Sequence, residues 1–357
     1  MKSSVESCAM RLLAILAALV LIAQPSPLNA QTKNTRSQSA HTQRHSPPSR
    51  SQENASANPR AAINAWTVGL AAGLIEGAPI RLAAEMARVV DDGNNMHVLP
   101  VVTRGPTENV NSLLYLRGID VAIINSDSLD EYKSQVPDIQ NKINYVLNLF
   151  PSELHVFVRP EIHSLNDLVG KKVNFNTLGT AAAYSGPLIF SRLGLDVDKT
   201  FIPHQIALEQ MRKGENGMAA VVFVTGKPVD AFVKGHFDPG FKFLPVPYNS
   251  KLEDYYLPST LEATDYPSLI KPGERIETVA VQTALVSFNW QPSSDRYARV
   301  ARFVDNLFSR FDRLQGQGFD PQWKSINLAG SVRGLARSPA AQAWLDHHGQ
   351  TPSQASK

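Results

Sequence analysis

Apolar and polar positions alternate along this chain in blocks that read as strand, helix and strand again. AWTVGL at 65–70 is a short apolar run that enters a glycine-containing loop. Behind Pro79, a residue suited to a first helical turn, positions Ile80, Ala83, Ala84, Met86, Ala87 and Val90 form one helical stripe. MHVLPVV at 96–102 predicts a second strand, 107–117 a helix capped by Thr107 and closed by Gly118, and 121–124 a third strand. This βαβαβ order predicts a mostly parallel sheet with right-handed crossovers.

The segment 143–159 holds two strand-like runs around Pro151, and then a second alternation begins. It comprises a strand at 172–176, a helix at 181–193, a strand at 219–224, the start of a helix at 229–234 and a strand at 241–246. TVAVQTALVSF at 278–288 is uncharged and strand-like, and 296–314 is an amphipathic helix with Val300, Phe303, Val304, Leu307, Phe308 and Phe311 facing inward. The predicted class is α/β with two lobes, mixed mostly parallel sheets and a central ligand cleft at a hinge. The predicted limits are 64–156 for the first part of lobe 1, 157–246 for lobe 2, 247–345 for the return to lobe 1 with its C-terminal helices, and 346–357 for a flexible tail. In such sheets ligands sit beyond the carboxyl ends of the strands, so every loop leaving a strand end is a candidate contact.

The N-terminus departs from this alternation. Lys2 and Arg11 precede LLAILAALVLIA, an apolar run of 12 residues at 12–23. That is too short to cross a hydrocarbon layer of about 30 Å as a helix. It fits the apolar core of a cleavable signal peptide ending at Ala30, which predicts export to the periplasm and a mature form that is not membrane-embedded. Residues 31–63 are rich in Ser, Gln, Asn, Arg and Pro and predict a disordered tether. His41 and His45 within it are four apart, a metal-like spacing on a helix or two solvated residues in a tail. Cys8, the only cysteine, lies before the cut, so no cysteine nucleophile or disulfide remains afterwards.

Charge removes one class of partner. The whole chain is +3, but its first 62 residues hold seven Lys/Arg and two acids, leaving 28 basic against 30 acidic residues in the body. A near-neutral body gives no support to a nucleic-acid partner. GxSxG, HExxH, CxxC and DxDxDG patterns are absent from the sequence, and the reading is of a non-enzyme with no cofactor and no metal.

The strand-end loops carry the candidate chemistry. Asn176-Thr177-Leu178-Gly179-Thr180 leads into a helix start, where free backbone N–H groups bind anions, Gly179 admits a ligand to the backbone, and Thr180 either caps the helix or offers a hydroxyl. Thr225-Gly226-Lys227-Pro228 fails the phosphate-loop pattern, and Lys227 supplies charge to the cleft or sits solvated in a turn. Arg104 can grip a carboxylate in bidentate fashion or pair internally with Glu76 or Glu108. Glu76 can accept a ligand amine or simply favour its helix start. Asn125 and Ser126 end a strand and either reach the cleft or make a turn. Glu153 and His155, two apart, share one face of a strand, where a structural hydrogen bond by His155 competes with ligand contact.

Several segments together resemble the TAXI-type solute-binding proteins of TRAP transporters, within the type II periplasmic-binding-protein fold. TRGPTEN at 103–109 followed by GIDVAIINSD at 118–127 is similar to the family's "TGGSxEN … GxDxA" stretch. FPSELHV at 150–156 is similar to its strand with a Glu and a His, and LNDLVGKKV at 165–173 to its lead into the second lobe. The first loop, LAAGLIEG at 70–77, lacks the family's aromatic residue, and Arg104 stands where the family has glycine. The strand-end readings and the resemblance together give as candidate ligand contacts Ala72, Gly73, Glu76, Arg104, Asn109, Asn125, Ser126, Glu153, His155, Asn176, Gly179, Thr180, Ala181, Thr225, Gly226 and Lys227. The resemblance implies the fold and the role, a periplasmic protein that captures a small solute and delivers it to a TRAP-type permease. The favoured solute is anionic and organic, a carboxylate or an amino acid, and Glu76 and Arg104, if both enter the cleft, set it apart from the family's usual dicarboxylate or amino acid. The alternative is a sensory module that reports occupancy to a membrane receptor.

Overall fold

The computed structural model describes residues 59–75, 77–93 and 95–349. The apolar N-terminal run, the His41/His45 pair, Glu76 and the tail beyond Gly349 lie outside the described residues. Within the stretch read as tether, Pro59–Ala65 forms a short helix.

Ten strands follow in chain order: β1 Thr67–Gly73, β2 His97–Val102, β3 Val121–Asn125, β4 Ile143–Val158, β5 Lys172–Asn174, β6 Asp198–Thr200, β7 Met218–Thr225, β8 Lys242–Leu244, β9 Tyr256–Glu262 and β10 Arg275–Phe288. They form one continuous sheet in the order β2-β1-β3-β10-β4-β7-β5-β6, with β8 beside β4 and β9 beside β10. β1 runs parallel to β2 and β3, and β5 runs parallel to β6 and β7.

Two strands are long enough to serve both lobes. The first half of β4 pairs with the second half of β10, which also pairs with β3. The second half of β4 pairs with β7 and β8, while the first half of β10 pairs with β9. Lobe 1 is therefore β2-β1-β3 with one half of each long strand. One face packs on helices Ala78–Val90, Asp295–Ser309 and Pro339–His347, and the other on Pro106–Tyr115 and a 3-10 turn over Ser126–Tyr132. Lobe 2 packs helix Ala181–Leu193 on one face and helix His204–Lys213 with a cluster of Phe157, Phe232 and Phe243 on the other. With both faces covered, β4 is buried at nearly every position rather than at alternate ones.

Four sequence expectations shift. The two runs around Pro151 are one strand. β7 joins β4 only from Glu153 onward, so the N–H that proline lacks breaks no ladder bond with that neighbour. After Val246 the chain stays in lobe 2, where Leu252, Tyr256, Leu261 and Tyr266 are core residues, and it crosses back within β10. The long C-terminal helix breaks at Arg310, whose φ of −117° is not helical, and resumes at Phe311–Leu314. The stretch 346–357, read as a flexible tail, begins inside helix Pro339–His347, whose Trp344 packs edge-on to Phe308.

Among the described residues no helix is long and apolar enough to cross a membrane.

Candidate functional site at the seam between the lobes

Strand register fixes where the site can lie. Asn125, the last residue of β3, stands opposite Thr283 of β10, which stands opposite Phe150 of β4. Thr225, the last residue of β7, stands opposite Glu153 of β4. The carboxyl ends of the lobe 1 and lobe 2 strands thus converge on a four-residue hinge, Phe150–Glu153, from opposite sides. Ser152 Oγ and Thr283 Oγ1 meet at 2.8 Å there, and Thr278 Oγ1 donates to Leu154 O at 2.5 Å, so the two crossing strands are also tied by side chains.

The lobes touch at the strand-end loops. Gly105, at the start of helix Pro106–Tyr115, has φ 140°, and a Cβ there would come within 2.7 Å of Gly179 O. Gly179 has φ 93°, and its Cβ would come within 2.9 Å of Arg104 Cβ. Glycine at both positions lets backbone approach backbone. Thr107 Oγ1 donates to Gly179 O at 3.4 Å across the same contact. Two helix N-termini thereby face one another. Thr180 caps the second: its hydroxyl donates to Thr177 O at 2.8 Å and accepts from the Ala183 N–H at 3.3 Å. Ala181 is half-buried and packs on the lobe 2 core, and Asn176 enters the loop at φ 63°.

A second contact is polar. The 3-10 turn Ser126–Tyr132 of lobe 1 presents Asp127, fully buried, to Tyr256 of the lobe 2 core, whose hydroxyl donates to Asp127 Oδ2 at 2.9 Å. Tyr255 donates to Asp130 Oδ1 at 2.5 Å and accepts from Lys133 Nζ at 2.8 Å. Arg333 NH1 donates to Glu253 O close by. Between these elements lies an interlobe groove of about 640 Å³, with Ser126, Asp130, Lys133, Tyr255 and Arg333 among its lining residues. That volume suits a small organic molecule.

The seam concentrates buried polar atoms without partners. Asn125 Nδ2, Ser126 Oγ and Asp127 Oδ1 lie at the end of β3, Glu153 Oε2 at the hinge, and Asn174 Nδ2 and Ser185 Oγ in lobe 2. Native interiors leave few such atoms unpaired, because each costs about 1–3 kcal/mol. Burial pushes the Asp127 carboxyl up to about 6 despite the pull of the Ser185 and Tyr256 hydroxyls. The Ser185 hydroxyl is near enough to favour that carboxylate without completing a well-aligned hydrogen bond. Burial likewise pushes Glu153 up to about 7, against backbone N–H donors and the Lys227 charge.

The remaining candidates, Gly226 excepted, are engaged within their own lobes. Arg104 is two-thirds exposed, and its Nε and backbone N–H donate to Glu108 Oε2 at 3.0 and 2.7 Å. Asn109 is fully buried; its Nδ2 donates to Ala72 O and Ile123 O, each at 2.7 Å, and its Oδ1 accepts from Thr103 Oγ1 at 2.6 Å. It clamps the ends of β1, β2 and β3 together, with Ala72 in the core and Gly73 O accepting from the Thr103 N–H. His155 is buried in the aromatic cluster, with Nδ1 at 3.0 Å from Glu153 O and Nε2 at 2.7 Å from Tyr266 Oη, and burial lowers it to about 3. Lys227 Nζ donates to Thr260 O at 2.6 Å and to Asp265 Oδ2 at 2.9 Å. Gly226 packs against the Phe150 ring and the Gln322 amide of lobe 1, and Thr225 is half-buried beside it.

No protein-family model matches the chain, and no curated protein matches it. Among solved structures it is similar to an ancestral arginine-binding protein bound to arginine, at 17% identity over 71% of this chain and 99% of that one, with a TM-score of 0.41. It is similar to the methionine-binding protein MetQ, at 14% identity over 70% and 95%, TM-score 0.38. It is also similar to the BenM effector-binding domain with its effector benzoate, at 14% identity over 71% and 97%, TM-score 0.38. The class is two-lobed α/β. It stands on the chain's own topology: two sets of parallel strands with covering helices, joined by β4 and β10.

Sequence reasoning reached Asn125, Ser126, Gly179 and Thr180 because each ends a strand or starts a helix. It missed Asp127, Ser185, Tyr255 and Tyr256. Asp127 lies two residues beyond Asn125 in the stretch GIDVAIINSD, and the Tyr-Tyr pair stands at the start of β9, a strand that local pattern does not predict. Only the fold brings them together across 129 positions.

Proposed function

We propose that this chain is a solute-binding protein. Its lobes close over a small polar organic solute at the hinge seam and present it to a membrane transporter of the TRAP type. The observation that carries the reading is the set of unpartnered buried polar atoms where strand ends of both lobes converge, headed by Asn125 Nδ2, Ser126 Oγ and Asp127 Oδ1. A solute with several donors and acceptors would satisfy them, and two facing helix N-termini at Gly105 and Thr180 favour a negative group such as a carboxylate. Binding without covalent chemistry is enough for this role, because a ligand that contacts both lobes shifts the equilibrium towards closure. Export through the N-terminal apolar run belongs to the same reading.

The test is a thermal-shift panel on the chain from Pro59 onward, with carboxylates, amino acids and sugars at rising concentration. One class should raise Tm with the logarithm of its concentration. A panel that leaves Tm flat throughout removes the solute-capture reading. A sensory role, in which the same occupancy is read by a receptor, is separated by which membrane partner co-purifies with the liganded form.

A further inference from the structure

We propose that Asp127 is a proton-operated catch on lobe closure: Tyr256 engages its carboxyl from the other lobe, and closure tightens when that carboxyl takes up a proton. The geometry is built for it. Asp127 has no solvent exposure in the closed form, and neither does Tyr256, whose ring belongs to the lobe 2 core. Their 2.9 Å hydrogen bond is therefore made only when the lobes meet. Oδ2 accepts the hydrogen bond from the Tyr256 hydroxyl, which leaves Oδ1 as the free atom. Ser185 Oγ, also unpartnered, faces it from helix Ala181–Leu193. A proton on Oδ1 turns that oxygen into a donor towards Ser185 and completes both groups.

The charged and titratable surroundings point the same way. Asp130, on the same 3-10 turn, repels a charge on Asp127. It is itself held by Lys133 at 2.5 Å and by Tyr255. Glu131, Tyr132 and Lys133 complete that turn, and the helix packed behind it carries Glu108 and Tyr115 towards Tyr132. From helix Ala181–Leu193 come Tyr184, near Asp127 and Asp130, and Arg192, whose guanidinium lies over the Tyr256 ring at 6.0 Å. Lys142 ends the short helix Ile139–Lys142, which also contacts the turn, and β10 carries no ionisable side chain from Thr278 to Phe288. No cation pairs with Asp127 itself among the described residues, so burial dominates and raises its carboxyl from 3.8 to about 6 in the closed form.

The sign follows. Opening exposes Asp127 to water and returns it towards 3.8, so the closed form holds the proton more tightly. The gain in closure is complete below about pH 4 and is lost as pH rises through about 6. Across that window the closed-to-open ratio changes on the order of a hundredfold.

The inference rests on the reading of the seam as a surface that opens, and it is tested without any solute, so failure to find a solute does not bear on it. Spin labels on exposed positions of the two lobes, Tyr115 and Ile206, report the interlobe distance from pH 4 to 8. The wild-type chain should close as pH falls from about 6 to about 4. Asp127→Asn, which mimics the protonated carboxyl, should stay closed throughout. Tyr256→Phe keeps the ring in its core but removes a donor to the carboxylate, so its step should move to higher pH. Glu209→Gln, a control at a surface carboxyl of lobe 2 paired with Lys213, should retain the wild-type step. A step that persists in Asp127→Asn, or a midpoint unmoved by Tyr256→Phe, overturns the proposal. If Asp127→Asn fails to fold, Tyr256→Phe decides it.

Discussion

Two of the contacts between the lobes work by different physics. At Gly105 and Gly179 there is no room for a methyl group: Gly105 lies against Gly179 O, and Gly179 against the stem of Arg104, whose charge is paired with Glu108. At Asp127 and Tyr256, a buried carboxyl meets a phenol, and the interaction depends on protonation as much as on shape. One end of the seam is a steric stop and the other a chemical catch. The difference implies that size changes at the glycines and charge changes at the acid should have separable effects.

The largest effect should come from breaking the steric contact. Gly105→Val places a branched side chain where even a Cβ would sit 2.7 Å from a carbonyl oxygen, at a φ of 140° that side chains rarely adopt. Solute affinity should fall by at least about a hundredfold, equivalent to about 2.7 kcal/mol, in calorimetry with the solute found by thermal shift. Affinity within threefold of wild type would show that the glycine contact does not limit closure.

A second test separates the catch from the hinge. Glu153 also has a raised carboxyl, at about 7, but it sits on β4, which belongs to both lobes. The folded chain therefore holds its proton more tightly than the unfolded chain, whose value is near 4.5. This stabilisation is full below pH 4.5 and lost as pH rises through about 7. Urea unfolding should show Glu153→Gln gaining on wild type between pH 4.5 and 8 by about 2–3 kcal/mol. A difference that stays constant with pH would mean that Glu153 is ionised throughout.

The smallest effect belongs to Arg104, which borders the glycine contact but is held at the surface by Glu108. Arg104→Ala should change solute affinity less than threefold and stability by less than about 0.5 kcal/mol. A tenfold loss of affinity would place its guanidinium on the solute after all.

Fold and site were legible to different depths. The helix at 181–193 matches Ala181–Leu193, because its caps are local: a threonine before it and Gly194 after it. β4 was visible as apolar but not as one strand, since a proline inside a strand is tolerated only where a neighbour is missing, and that is a fact of pairing. β9 went unread because YLPSTLE mixes burial classes along its length and is fixed by its partner β10. At the site, Asn125 and Ser126 were readable as strand-end residues. Asn109 reads as a ligand contact, and for His155 a structural hydrogen bond is expected at least as much as ligand contact; the partners that engage them, Ala72 O and Ile123 O for one and Tyr266 for the other, lie up to 111 positions away. Such satisfaction is invisible to local pattern, and so is the meeting of Asp127 with Tyr256.

The central claim is that the lobes enclose a solute at the hinge seam. Small-angle scattering of the chain from Pro59 onward, at pH 8 where the Asp127 catch is released, tests it most directly. Adding the solute that raises Tm should shrink the radius of gyration, and Gly105→Val should abolish the shrinkage. Scattering that stays unchanged at saturating solute would place binding outside the seam and contradict the account.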